Sequence, residues 1–213
     1  MFYHRVVDEE KKEFCRDDDW FESYGSESFC ISDLQTSDTL VLHPDDRSTD
    51  FLQAIYAGKG WDVLNDPFVN CDAVEELLET HDRIVCLGHG SPAGLFGGGG
   101  FLIHDGLTHL LRKKIMVSIW CYADQFMNRH NLSGFYSGMF ISELGEALLC
   151  GIDNTDAQAV SASNDLFASV LGRYIDSENI LENVRREYSP AGDPVIRFNR
   201  ERLYSSIERS LTR

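Results

Sequence analysis

The feature that most constrains the fold is a series of short, unbroken apolar runs separated by segments with helical spacing. Apart from Thr39 and Ser118, Thr39-Leu40-Val41-Leu42, Ile84-Val85-Cys86-Leu87 and the run over residues 115–120 are continuously apolar rather than alternating. A strand with one wet face alternates apolar and polar residues, whereas a strand covered by helices on both faces does not. Between the runs, Phe51, Leu52, Ile55 and Tyr56 recur at helical spacing, and Val74, Leu77 and Leu78 share one face of a helix expected over 72–79. The same patterns predict strands over 61–64 and 157–162. They predict helices over 107–112, 140–149, 165–175 and 203–211. Strand and helix therefore alternate, which predicts an α/β class: three layers, a mostly parallel sheet of at least four strands, helices on both faces.

Composition sets the remaining bounds. The 213 residues suit one domain, expected over 38–213, behind an acidic N-terminal arm expected over 1–37. Lys and Arg number 19 against 35 Asp and Glu, a formal charge of −16. Such a field repels phosphate, so neither nucleic acid nor an anionic membrane is an expected partner, and a basic peptide or protein fits better. No apolar run approaches the ~20 residues of a membrane-spanning helix. The beginning of the chain has no apolar signal core. The six cysteines include no C-x-x-C pair. Free thiols in a reducing, cytoplasmic setting are expected rather than disulfides or a zinc ribbon.

In open α/β sheets ligands bind at the carboxyl ends of the strands. There the chain places His43-Pro44-Asp45-Asp46, Gly88-His89-Gly90-Ser91, Cys121-Tyr122-Ala123-Asp124 and, after the strand expected over 157–162, Asn164-Asp165. A thiol needs a base or a positive partner to become a nucleophile near neutral pH. His89 supplies that base for Cys121 and later an acid for the leaving amine. Gly90 brings a backbone N–H close to a substrate oxygen, and with the N–H of Cys121 it forms an expected oxyanion hole. Asp124, Asp165 and Ser161 are the candidate substrate-binding residues. A carboxylate low in the pocket would select Arg or Lys before the cut bond, although Asp165 also fits a helix cap. Cys121 at a strand end differs from Cys86 inside its strand, which reads as a core thiol. His104, Asp105 and His109 read as surface residues, and no metal or organic cofactor is required. The glycines over 97–100 read as a flexible loop, since no Gly-Lys-Ser/Thr follows. The Gly-x-Ser-x-Gly elbow of α/β hydrolases is missing as well.

An apolar strand closed by His-Gly and a second closed by Cys resembles the caspase-like superfamily of cysteine peptidases, nearest to its CHAT-domain and clostripain-type members. The matching pieces are Arg83-Ile84-Val85-Cys86-Leu87-Gly88-His89-Gly90 and Ile115-Met116-Val117-Ser118-Ile119-Trp120-Cys121, and the resemblance extends over about residues 38–176. It implies a caspase-like fold, His89 as catalytic histidine, Cys121 as nucleophile and Gly90 as oxyanion donor. The stretch Tyr122-Ala123-Asp124-Gln125-Phe126 departs from the Gly-rich turn of many relatives. The function expected is that of a cysteine endopeptidase acting on a peptide or protein. The alternative is an inactive caspase-like binding or regulatory module.

Overall fold

A computed structural model describes residues 37–66, 68–69, 71–189 and 192–206. The acidic arm expected over 1–37 lies, apart from Ser37, outside the described residues. In chain order the elements are β1 (Thr39–Leu42), a 3-10 turn (Asp50–Ile55), β2 (Asp62–Leu64), α1 (Cys71–Thr80) and β3 (Arg83–Leu87). Next come β4 (Gly90–Ser91), β5 (Gly94–Gly97), β6 (Gly100–Ile103), α2 (Thr108–Leu111) and β7 (Ile115–Ile119). The chain continues through α3 (Ala123–His130), β8 (Ser133–Ser137), α4 (Leu144–Leu149), α5 (Ala157–Tyr174), α6 (Ile180–Glu187), α7 (Pro194–Glu201) and β9 (Leu203–Ser205).

Six strands form one sheet in the order β2-β1-β3-β7-β8-β9. The pairings are parallel except the last, in which β9 runs antiparallel to β8. Successive residues of each strand point to opposite faces, and here both faces are apolar. Leu40, Leu42, Ile84, Cys86 and Met116 pack against Leu77 and Leu78 of α1 and Phe126 and Met127 of α3. Val41, Val85, Leu87, Val117 and Ile119 pack against Phe167 and Leu171 of α5 and Val184 of α6. Three layers result, and the unbroken apolar runs are their signature. The short sheet β4-β5-β6 directly follows His89 and buries Leu95, Leu102 and Ile103 on the α1/α3 side.

Several expectations need correction. Residues 157–162 are the start of the 18-residue helix α5, not a strand. Asp156 caps that helix, its side chain accepting the Ala159 N–H at 2.8 Å, and alanine is the strongest helix former. The buried positions Val160, Ser163, Asn164, Phe167, Ala168 and Leu171 follow helical spacing along the whole length. Asp165 is consequently mid-helix and caps nothing. Of the span 140–149 only Leu144–Leu149 is helical; the Glu146 carboxylate accepts the Glu143 N–H at 3.1 Å and starts the helix there. Leu203–Ser205 form β9 rather than the opening of a final helix, and residues 207–211 lie outside the described residues. The glycines over 97–100 belong to a hairpin, with Gly97 paired to Gly100. Strand β8 was not foreseen, because Ser133, Gly134 and Ser137 hide its apolar character. Gly134 is required there: a Cβ at that position would lie 1.9 Å from the Met116 carbonyl oxygen.

Candidate active site

Strands β3 and β7 pair in parallel with Leu87 opposite Ile119. His89 and Cys121 each stand two residues beyond that pair, at the carboxyl edge of the sheet. Both line one small pocket, with Thr49, Leu52, Phe140 and Ser142 among its walls. Its volume is about 10 Å³, the room of about one water.

The His89 ring is held from the loop that follows β1. Its Nε2 lies 2.6 Å from Ser48 Oγ and 3.9 Å from Asp46 Oδ2. Ser48 Oγ donates to Asp46 Oδ1 at 2.6 Å, and the Ser48 N–H donates to the same oxygen at 2.9 Å. These two Ser48 bonds hold the Asp46 carboxyl below the usual range. The loop itself is braced from inside. Buried His43 places Nδ1 3.0 Å from Tyr56 Oη and Nε2 3.2 Å from Thr49 Oγ1, and Thr49 Oγ1 donates to the Asp46 carbonyl at 3.0 Å.

Cys121 opens the turn from β7 into α3. The next residue, Tyr122, has φ +68°, a left-handed conformation that costs a side-chain-bearing residue about 1–2 kcal/mol. The turn is pinned by the Tyr122 N–H on the Gly138 carbonyl at 3.1 Å and the Ala123 N–H on the Trp120 carbonyl at 3.2 Å. The thiol donates to the Phe140 carbonyl at 3.4 Å and lies 3.8 Å from Glu146 Oε1. Burial pushes it up to about 11, and the Glu146 carboxylate raises it further. In this arrangement Cys121 is a neutral thiol at neutral pH.

Gly90 is needed for a reason beyond its N–H. A Cβ there would lie 2.2 Å from Trp120 Cδ1 and 2.6 Å from the Gly94 carbonyl oxygen. The Trp120 indole, adjacent to Cys121, docks against that glycine and donates Nε1–H to the Ser91 carbonyl at 3.1 Å.

Beside the pocket, and sharing Phe51 and Ser142 with it, runs a groove of about 300 Å³. Arg47, Ser48, Glu143, Ser161, Asn164 and Asp165 line it. Ser161 and Asp165 thus reach the neighbourhood of His89 from a helix, not from the strand end first assigned to them. Asn164, 6% exposed, donates Nδ2–H to the Ser142 carbonyl at 2.8 Å, and its Oδ1 is buried without a partner. Asp124 lines neither cavity. It sits in the first turn of α3, where burial pushes its carboxyl up.

Sequence reasoning missed Ser48 and Glu146, and it placed Asn164 at a strand end without giving it a role. Asp46 was visible as the end of a strand, but its link to His89 passes through a loop with no periodic pattern. Among the described residues no group of three His, Cys, Asp or Glu side chains is arranged to hold a metal ion. His104 Nδ1 accepts the Gly106 N–H at 3.1 Å and His109 Nδ1 donates to the Gly106 carbonyl at 2.9 Å. Comparison with known proteins finds no matching family model, no matching curated protein and no matching solved structure.

Proposed function

We propose that the chain is a cysteine-type endopeptidase of caspase-like kind, with His89 and Cys121 as its catalytic pair. The observation that carries this is their placement: two residues beyond the paired Leu87 and Ile119, at the ends of two adjacent parallel strands, on the wall of one pocket. The resemblance of the two strand-end motifs points the same way. His89 takes the thiol proton, and the thiolate sulfur attacks the peptide carbonyl carbon. The Gly90 and Cys121 N–H groups receive the oxyanion. The C–N bond breaks as His89 returns its proton to the amine, leaving a thioester. Water, deprotonated by His89, then releases the acid and restores the thiol. Cys121 must first leave Phe140 and Glu146. No cofactor enters this chemistry.

The partner is a peptide or protein, and the −16 charge disfavours nucleic acid. Asp165, Ser161 and Glu143 line the groove beside the pair, which supports a basic residue before the cut bond. Cys86, Cys121 and Cys150 are free thiols, in keeping with a cytoplasmic setting. Among the described residues no helix is long and apolar enough to cross a membrane.

A second reading has its own support. A thiol pushed up to about 11 in a pocket the size of one water fits an inactive caspase-like binding module. Alkylation separates the two. A catalytic Cys121 reacts with iodoacetamide at pH 7 well before Cys86, and more slowly after His89→Ala. Uniformly slow labelling favours the binding module. Hydrolysis of a mixed peptide library that persists in full after Cys121→Ala would overturn the peptidase.

A further inference from the structure

We propose that Asp46 and Ser48 are positioning residues that fix the His89 proton on Nε2 and leave Nδ1 as the basic nitrogen facing the chemistry. The proposal rests on the peptidase reading for its consequence, though not for its geometry. Three atoms define it: Asp46 Oδ1, Ser48 Oγ and His89 Nε2, with 2.6 Å on each side of the hydroxyl.

One proton belongs to the hydroxyl, and its two neighbours compete for it. An ionised carboxylate only accepts. If Ser48 turned its proton to His89, two bare oxygens would face each other at 2.6 Å, a distance that O–H···O⁻ bonds occupy only with the hydrogen between them. The proton therefore lies toward Asp46, where the bond is charge-assisted. Ser48 Oγ then offers a lone pair to His89, and Nε2 must carry the N–H to meet it.

In a neutral imidazole with Nε2 protonated, Nδ1 bears the lone pair. Nδ1 makes no hydrogen bond among the described residues, and the ring lines the pocket that Cys121 also lines. The thiol proton passes to Nδ1, giving an imidazolium that still donates from Nε2 to Ser48. Asp46 Oδ2, 3.9 Å away, carries the compensating charge. The Nδ1 proton then goes to the leaving amine. The Ser48 N–H on Asp46 and the His43–Thr49 brace hold the carboxylate in place. Neither Asp46 nor Ser48 touches the reacting atoms.

The test is nitrogen NMR of the unmodified full chain labelled at histidine, which reads each ring's tautomer without substrate. His89 is expected with hydrogen on Nε2 and a bare Nδ1; hydrogen on Nδ1 would overturn the proposal whatever the peptidase activity. Ser48→Ala and Asp46→Asn should mix the two tautomers and slow iodoacetamide labelling of Cys121 at pH 7 by about tenfold. Ser48→Thr should restore most of both. An unchanged tautomer and labelling rate in Ser48→Ala would overturn the proposal. So would a fluorophosphonate adduct on Ser48, which would make it a nucleophile. The expected tautomer without any peptide hydrolysis would instead defeat the peptidase reading, so the two failures are distinct.

Discussion

At the scale of single residues, the site is a competition over two protons, one on Cys121 and one on Ser48. Cys121 is held as a thiol by its surroundings, burial foremost and Glu146 next. Its folded pKa, about 11, lies above its ordinary value of 9.0. The stabilisation of the neutral thiol is therefore complete below pH 9 and is lost as pH rises towards 11. When His89→Ala removes the base, iodoacetamide labelling of Cys121 should keep rising across that interval. Glu146→Gln should move the rise to lower pH, because it removes a negative charge 3.8 Å from the sulfur. A profile that does not move would place another group in control of the thiol. Gly90 is the other decisive residue. Gly90→Ala forces a methyl into the Trp120 ring and the Gly94 carbonyl, an overpacking that should cost about 1–3 kcal/mol in urea unfolding. Gly99→Ala, which meets nothing within 4 Å, should be nearly neutral and serves as the control.

At the scale of elements, continuous apolar runs were a faithful sign for β1, β3 and, despite the one buried polar residue Ser118, β7, since each is buried on both faces. The same sign misled at Ala157–Tyr174. A stretch of Ala, Val and Ser has the look of a short strand when the helical period of Phe167, Ala168 and Leu171 is read as belonging to a separate element. The sign was absent in β8, where Ser137 is fully buried yet polar, its hydroxyl donating to the Trp120 carbonyl at 2.9 Å. A polar residue with an internal partner is as much a core residue as a leucine, and no pattern of hydropathy records its partner. His89 and Cys121 were legible for the opposite reason: they end strands, and strand ends can be read. Ser48 and Asp46 reach the histidine through an irregular loop, so only the folded chain brings them to it. The edge strand β2 has its own anchor. Asp62, its first residue, accepts from buried His81 Nε2 at 3.0 Å, and His81 Nδ1 in turn lies 2.7 Å from the Leu77 carbonyl of α1. Removing one member of a buried pair strands the other, so Asp62→Ala should cost about 3–5 kcal/mol in urea unfolding.

At the scale of the molecule, the charge of −16 acts on arrival rather than on chemistry. A basic peptide should be cleaved with a kcat/KM that falls as ionic strength rises from about 0.01 to 0.15 M, where the screening length shrinks from about 30 to 8 Å. A neutral peptide should show little change. Equal salt dependence for both would remove electrostatic attraction from the account. If the chain is a peptidase, the pocket shared by His89 and Cys121 adds a second control on how tightly substrate would be held. On the peptidase reading, a space of about 10 Å³ is too small for a peptide carbonyl with its flanking chain, so binding would draw on the fraction of molecules in which the β8–α4 connection at Phe140–Ser142 has moved aside. The measured dissociation constant is the intrinsic one divided by that fraction: a tenfold rarer open form weakens apparent binding tenfold with every contact unchanged. Substitutions that loosen this connection would then act as activators, tightening apparent affinity while lowering the stability of the fold.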